Sequence, residues 1–305
     1  MEEPQRDEYV SNFWLHEGEL RLFWKMSSYF TVFFFLFTAL YLFSKLLPFD
    51  IDWRIGNPLF MLIAALLSTM FLIAVSGRRN VLDETGLRWS RHGGRDLLLG
   101  FAVAGLLMSA LFALELLFGG ARISNVHLTA GYVAELLLIS LVGFTLVGFA
   151  EEILMRGYPF TVLQRQGGTV LALLLTSVLF SLMHGFNPEI GWLGFGNIFL
   201  AGIWLGVARL VTGTLWLAIG MHTGWNFFLG TVFGFPVSGI YERSLLITET
   251  TGPEVLSGGS FGPEGGLLAT VVLAIGTGTL FLPAVRRYLG TMPPSISKET
   301  KKESP

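Results

Sequence analysis

The chain has 305 residues, 52% of them hydrophobic and only 14% charged, with a mean hydropathy of +0.62. Soluble domains carry about 25% charged residues, and here the apolar residues run in long blocks, so a soluble protein is excluded and an all-α, polytopic membrane helix bundle is predicted. A net charge of −2 leaves no basic surface for nucleic acid, and the lack of cysteine excludes disulfides, thiolate metal sites and a cysteine nucleophile.

Ahead of the first apolar block, Phe13, Trp14, Leu20, Phe23 and Trp24 are set among Glu17, Glu19, Arg21 and Lys25. That mixture over residues 11–26 predicts a helix lying in the headgroup layer, within an interfacial segment 1–26. No small-residue cleavage site follows the first apolar run, so a removable signal peptide is not expected. Spans of about 20 apolar residues are needed to cross the hydrocarbon core, and eight are predicted, at roughly 27–49, 57–76, 97–118, 130–155, 169–186, 190–210, 214–236 and 266–285. They make one transmembrane domain over residues 27–290. Gly202 with Gly206, and Gly220 with Gly224, are small-xxx-small pairs that predict close helix contacts. The loop 237–265 holds Gly, Pro, Ser and four glutamates and is expected to cover the outer face without a fold of its own. The tail 291–305 has the polar, Pro- and Lys-bearing composition of a disordered end.

Of the 20 Lys and Arg, only Lys45, Arg54, Arg122 and Arg243 fall on one side in this span order; the other 16 fall on the side of both termini. Cytoplasmic segments carry the excess of Lys and Arg, so both termini are placed in the cytoplasm and the span count is even. The fourth span then ends inside, at Arg156, and a cavity around its end is expected to open toward the cytoplasm.

Ionisable groups at membrane depth are costly and mark function. His16, His92 and His127 fall in the terminus or in loops, whereas His184 and His222 fall inside spans. Glu115 and Glu135 lie near span ends, from which they can reach the interface. Glu151 and Glu152 close an apolar run from Leu136 that has no other charge. On a helix, Glu152 and Arg156 are i,i+4 with the acid first, the favourable order for an ion pair. Glu151 is offset by about 100° and need not share that partner. The plain alternative is a solvated helix end. Phe180 and His184 share a helix face, so the ring can wall the imidazole; the alternative is a histidine bonding a backbone carbonyl. His222 and Asn226, again i,i+4, can both donate to one oxygen, as an oxyanion hole requires; the alternative is polar glue between helices. Together these three motifs, within residues 130–235, point to one buried polar cluster.

Glu-Glu-x-x-x-Arg, then Phe-x-x-x-His, then His-x-x-x-Asn, intact here as Glu151–Arg156, Phe180–His184 and His222–Asn226, resembles the CPBP family. These are the type II CAAX prenyl endopeptidases and their bacterial relatives, also called Abi proteins and linked to bacteriocin processing or immunity. The resemblance implies an intramembrane endopeptidase acting without a covalent acyl-enzyme on a membrane-associated or lipidated peptide. It implies that Glu151 and His184 position and deprotonate the attacking water, that His222 and Asn226 hold the oxyanion, and that Glu152, Arg156 and Phe180 organise the site. It favours a mechanism with no cofactor. A zinc site made from Glu151, His184 and His222 is the alternative, since two histidines and a carboxylate with an open position form a known catalytic set.

Two other classes of function stay open at this point. One is a non-catalytic scaffold or bacteriocin-immunity protein that keeps the cluster for packing. The other is a proton-coupled transporter, against which the lack of a visible inverted repeat counts. Substrate and oligomeric state are not legible. One geometric conflict also stands. At about 1.5 Å per residue, His184 lies some 22 Å along its span from the inner end, while Glu151 lies five residues from the Arg156 end. Convergence requires tilting, a broken helix near Tyr158–Pro159, or a segment 157–168 that starts deep in the bundle.

Overall fold

The structure, a computed structural model, describes residues 13–16, 19–76 and 80–289. Residues 1–12 of the predicted interfacial segment and the tail 291–305 lie outside the described residues. The apolar blocks form α1 (Leu22–Ser44), α2 (Trp53–Val75), α4 (Gly93–Leu117), α5 (Ala130–Arg156), α7 (Thr169–Met183), α8 (Trp192–Thr212), α9 (Trp216–Asn226) and α11 (Leu267–Thr279). Shorter helices join them: α3 (Val81–Thr85), α6 (Tyr158–Gly167), α10 (Glu254–Ser257) and α12 (Pro283–Tyr288). Among the described residues, sheet is confined to two antiparallel pairs, β1 (Leu15–His16) with β2 (Glu19–Leu20) and β3 (Ala121–Val126) with β4 (Leu246–Thr250).

The eight apolar passes occur in the predicted order, but three are short. Leu22–Ser44, Trp53–Val75, Gly93–Leu117, Ala130–Gly167 and Trp192–Thr212 are long and apolar enough to cross a membrane. By contrast α7, α9 and α11 have 15, 11 and 13 residues. Placement explains α9. Leu217 to Asn226 are all buried, so this backbone meets protein rather than lipid, where incomplete and irregular spans are tolerated. α9 continues into a π-helical turn, Phe227–Val232.

Close packing holds α9 at the centre. A Cβ on Gly220 would lie 2.0 Å from the Leu97 carbonyl oxygen, and one on Gly100 would lie 2.3 Å from that of Leu217. Only glycine at both positions lets the α4 and α9 backbones touch. Gly224 extends the seam against Phe101, while Gly202 of α8 abuts Ser177 of α7, so both small-residue pairs mark helix contacts. Met108, Trp204, Leu217, Met221 and Trp225 surround the α9 seam in one core. Tyr29, Phe33, Leu72, Ile153 and Tyr158 join α1, α2, α5 and α6 in another. In a bilayer such packing is held by van der Waals contact more than by escape from water.

Contacts between loops fix the two ends of the bundle. At one end β3 pairs with β4, Arg243 Nη1 donates to Glu135 Oε1 at 3.0 Å, and Asn187 Nδ2 donates to Ser238 O at 2.9 Å. At the other, Arg165 Nη1 meets Glu84 Oε1 at 2.6 Å, the Leu215 N–H donates to Gly86 O, and Trp216 Nε1 donates to Arg88 O. Arg95 Nη1 ties α12 to the same end through Tyr288 O at 3.1 Å.

Three sequence expectations are corrected here. Residues 11–26 do not form one helix: β1 and β2 pair, and the Phe13, Trp14 and Trp24 rings cluster as Trp24 Nε1 donates to Phe13 O. That ring cluster folds the chain back on the start of α1. The loop 237–265 does have a fold, because β4, α10 and two 3-10 turns give its backbone polar groups partners. Glu115 does not reach the interface. It is fully buried, and neither side-chain oxygen has a hydrogen-bond partner.

Candidate functional site

α5 does not end at the membrane surface. Arg156 Nη2 donates to Gly202 O at 3.0 Å, and Gly202 lies midway along α8, so α5 stops about halfway through the bundle. Gly157 turns the chain there, where a Cβ would collide with Ile153 O at 2.4 Å. α6, with Pro159 in its first turn, covers the remaining depth, packing Phe160 and Leu163 against Ala172 and Leu173 of α7. At about 1.5 Å per residue, α6 together with the step from Arg156 back to Glu151 spans roughly 22 Å, the same height that α7 gives His184. The deep start of the segment after Arg156 therefore resolves the depth conflict.

The solvated-helix-end reading of the acidic pair fails, since Glu152 and Arg156 are both 0% exposed. Glu152 Oε1 accepts from Arg156 Nη1 at 3.0 Å and from His222 Nδ1 at 2.9 Å. The Arg156 guanidinium also lies over the Phe180 ring, 4.4 Å from its centroid, a cation–π contact strengthened by the absence of water. Phe180 in turn sits 4.8 Å from the His184 ring and edge-on to His222 at 6.0 Å. One aromatic ring thus walls both imidazoles and the guanidinium.

The ring nitrogens are oriented by their partners. His184 Nδ1 lies 2.8 Å from Phe180 O; a carbonyl only accepts, so Nδ1 carries the proton and neutral His184 offers a lone pair at Nε2. The backbone-carbonyl alternative for His184 and its place in the cluster are both realised. Glu151 points away from Arg156, as the helical offset predicted. Its Oε2 stands 3.9 Å from His184 Nε2 and 3.7 Å from His222 Nε2, buried and without a hydrogen bond. Each gap is one that a single bridging water closes. Asn226, one turn beyond His222, lines the same cavity.

That cavity measures about 290 Å³ and is lined by Glu151, His184, His222 and Asn226 together with Trp53 and Glu264. A second, apolar cavity of about 180 Å³ lies between α2 and α5, along Pro58, Ile139 and Gly143, and meets the first at Glu151 and Glu242. Burial pushes the Glu242 carboxyl up to about 7 against the pull of Arg54, so near neutral pH this group is only partly charged.

Among the described residues no group of three or more His, Asp or Glu side chains is placed to hold a metal ion; His222 commits Nδ1 to Glu152 and leaves Nε2 toward Glu151.

The larger cavity reaches toward one end of the bundle. Trp53, Asn187, Ser238, Ile240 and Glu242 line it, and all belong to the end where β3 pairs with β4. No lining residue comes from α3, α6 or the 213–215 turn. Arg156 is not an interface charge: with Glu152 it is fully buried, against Phe180 and His222.

Sequence reading also passed over Glu264. Its Oε1 accepts from Trp225 Nε1 at 2.8 Å and its Oε2 from the Ser238 amide at 2.5 Å. Trp225 immediately precedes Asn226, so this carboxylate ties the covering loop to the helix that carries His222 and Asn226. Asn197 Nδ2 holds the backbone of the same turn through Glu264 O and Gly266 O. The only signal in the sequence was an acid flanked by glycines ahead of an apolar span.

The helix bundle gathers a carboxylate, two oriented imidazoles and a carboxamide around one cavity. Residues 133–228, which contain all three motifs, match the family described as type II CAAX prenyl endopeptidase Rce1-like. A search of curated proteins finds no match to the chain. With five helices long and apolar enough to cross a membrane, the chain is an integral membrane protein, and its motif-bearing segment is similar to CAAX-type peptidases.

Proposed function

We propose that the chain is a glutamic-type intramembrane endopeptidase that hydrolyses a peptide bond in a membrane-associated or lipidated peptide. The observation that carries this reading is the unpartnered Glu151 Oε2, poised between His184 Nε2 and His222 Nε2 in a cavity. A water there donates one proton to Glu151 and the other to His184 Nε2, which turns its lone pair toward the scissile carbonyl carbon. As its oxygen bonds to that carbon, Glu151 takes the proton and the carbonyl oxygen becomes an oxyanion. Asn226 and a doubly protonated His222 donate to that oxyanion. Negative charge from Glu151 and Glu152 on either side balances the imidazolium. When the C–N bond breaks, Glu151 returns its proton to the leaving amine. Catalysis in this reading uses no metal. The apolar cavity between α2 and α5 suits the hydrocarbon part of the substrate. The termini are on the cytoplasmic side, where the Lys and Arg excess puts them.

Cleavage of a membrane-tethered reporter peptide by the purified chain tests the reading. His184→Ala and Asn226→Ala are each expected to lower kcat, the latter by about 10²–10³-fold as for loss of one oxyanion donor. A zinc chelator is expected to leave the rate unchanged. Full activity in both variants, or loss with chelator and recovery with added zinc, would remove this mechanism.

A further inference from the structure

Two independent features bear on which face of the membrane the substrate comes from. The first is geometric. Loops 45–52, 118–129, 184–191 and 233–266 share one end of the bundle through the β3–β4 pair, the Arg243–Glu135 pair and the Asn187–Ser238 hydrogen bond. Both cavities are bordered by residues from this end and reach Glu151, beside the fully buried Arg156–Glu152 pair.

The second feature is charge. Among the described residues, the Lys and Arg of this end are Lys45, Arg54, Arg122 and Arg243. Three of the four are spent on acids beside them, Arg54 on Asp52, Arg122 on Glu249 and Arg243 on Glu135. Asp50, Glu189, Glu242 and Glu254 add further acids to the same loops. The opposite end holds Arg88, Arg91, Arg95, Arg165 and Arg286, and the polypeptide orients its Lys- and Arg-rich segments to the cytoplasm. Phe186 and Trp192, 99% and 83% exposed, flank the loop after His184, where aromatic side chains suit a membrane–water boundary.

From these observations we infer that the cavity opens on the non-cytoplasmic face, so that its substrate is a peptide presented from the outer leaflet rather than a tail arriving from the cytoplasm. The inference rests on the hydrolase reading for the word substrate, but its geometry does not depend on activity. The apolar cavity then runs from the outer leaflet side toward Glu151, so a peptide anchored there by a hydrocarbon chain brings its backbone down to the carboxylate.

The absence of cysteine makes the test direct. Single cysteines are introduced as Ser124→Cys on β3 and Gln166→Cys on α6, both exposed positions, and intact bacterial cells are treated with a membrane-impermeant maleimide. The expected result is labelling of S124C in intact cells and of Q166C only after permeabilisation. The reverse pattern, or labelling of both in intact cells, overturns the inference. A second arm adds a lipopeptide reporter outside cells expressing the chain or its Glu151→Gln variant. Cleavage of the external reporter by the chain and not by the variant supports the inference. If S124C labels from outside while neither intact cells nor detergent-solubilised protein cut any reporter, the hydrolase reading fails and the orientation stands. If solubilised protein cuts but intact cells do not, presentation from the outer leaflet is wrong.

Discussion

Glu151→Gln is expected to lower the cleavage rate by about 10²–10⁴-fold, the usual contribution of a general base, while leaving folding intact. The expectation of an unchanged fold comes from what the carboxylate does not touch. Its Oε2 makes no hydrogen bond, and the nearest polar atoms are the two Nε2 nitrogens at 3.7 and 3.9 Å. Glutamine keeps the volume and an amide oxygen but cannot accept a proton from water at neutral pH. The measurement is the single-turnover rate on a tethered peptide, read beside the melting temperature of the detergent-solubilised protein. A wild-type rate in the variant removes Glu151 from the chemistry. In a cell where deletion of the chain has a phenotype, a scaffold would be rescued equally well by E151Q, and a peptidase would not. Both readouts therefore separate the two classes of function that the sequence left open.

The parts of this site legible in the sequence are those set by short-range helical spacing. Glu152 to Arg156, Phe180 to His184 and His222 to Asn226 are each i,i+4, and in the structure each pair acts on one face: an ion pair at 3.0 Å, two rings in tilted contact at 4.8 Å, and a shared cavity wall. What hydropathy could not locate was depth. An apolar run reads the same whether its end meets water or stops at mid-bundle, so Arg156 looked like an interface charge until Gly202 appeared as its acceptor. Length was misjudged for a related reason: α7, α9 and α11 are apolar enough to count as spans, yet protein packing takes the place of lipid around α9. The covering loop was unreadable because its order comes from partners far away in sequence. β4 depends on β3 more than 100 residues earlier, and Glu264 depends on Trp225. Glycine-rich composition signals a turn-laden segment but not which distant groups will hold it.

Arg156→Met is expected to cost about 3–5 kcal/mol of stability, the range for removing one partner of a buried ion pair. Burial, not distance, decides this. The Arg122–Glu249 pair is shorter at 2.6 Å, but its side chains are 70% and 48% exposed, and Arg122→Gln is expected to leave the melting temperature unchanged because water screens such pairs. At Arg156 the loss would leave Glu152 charged in a fully dry setting, with His222 as its remaining partner. Methionine fills most of the volume against Phe180 but cannot bond Gly202 O, so α5 also loses its tie to α8. Thermal unfolding in detergent is the measurement, with the Glu152→Leu, Arg156→Met double variant beside the single one. Replacing both charges by apolar groups removes the stranded carboxylate, and the double variant is expected to recover much of the stability that the single variant loses. It is not expected to recover cleavage, because His222 Nδ1 then has no carboxylate to fix the ring and Nε2 no longer holds its proton toward the cavity. An R156M protein that melts with the wild type would show that this pair is hydrated, and the dry site on which this chemistry depends would be lost with it.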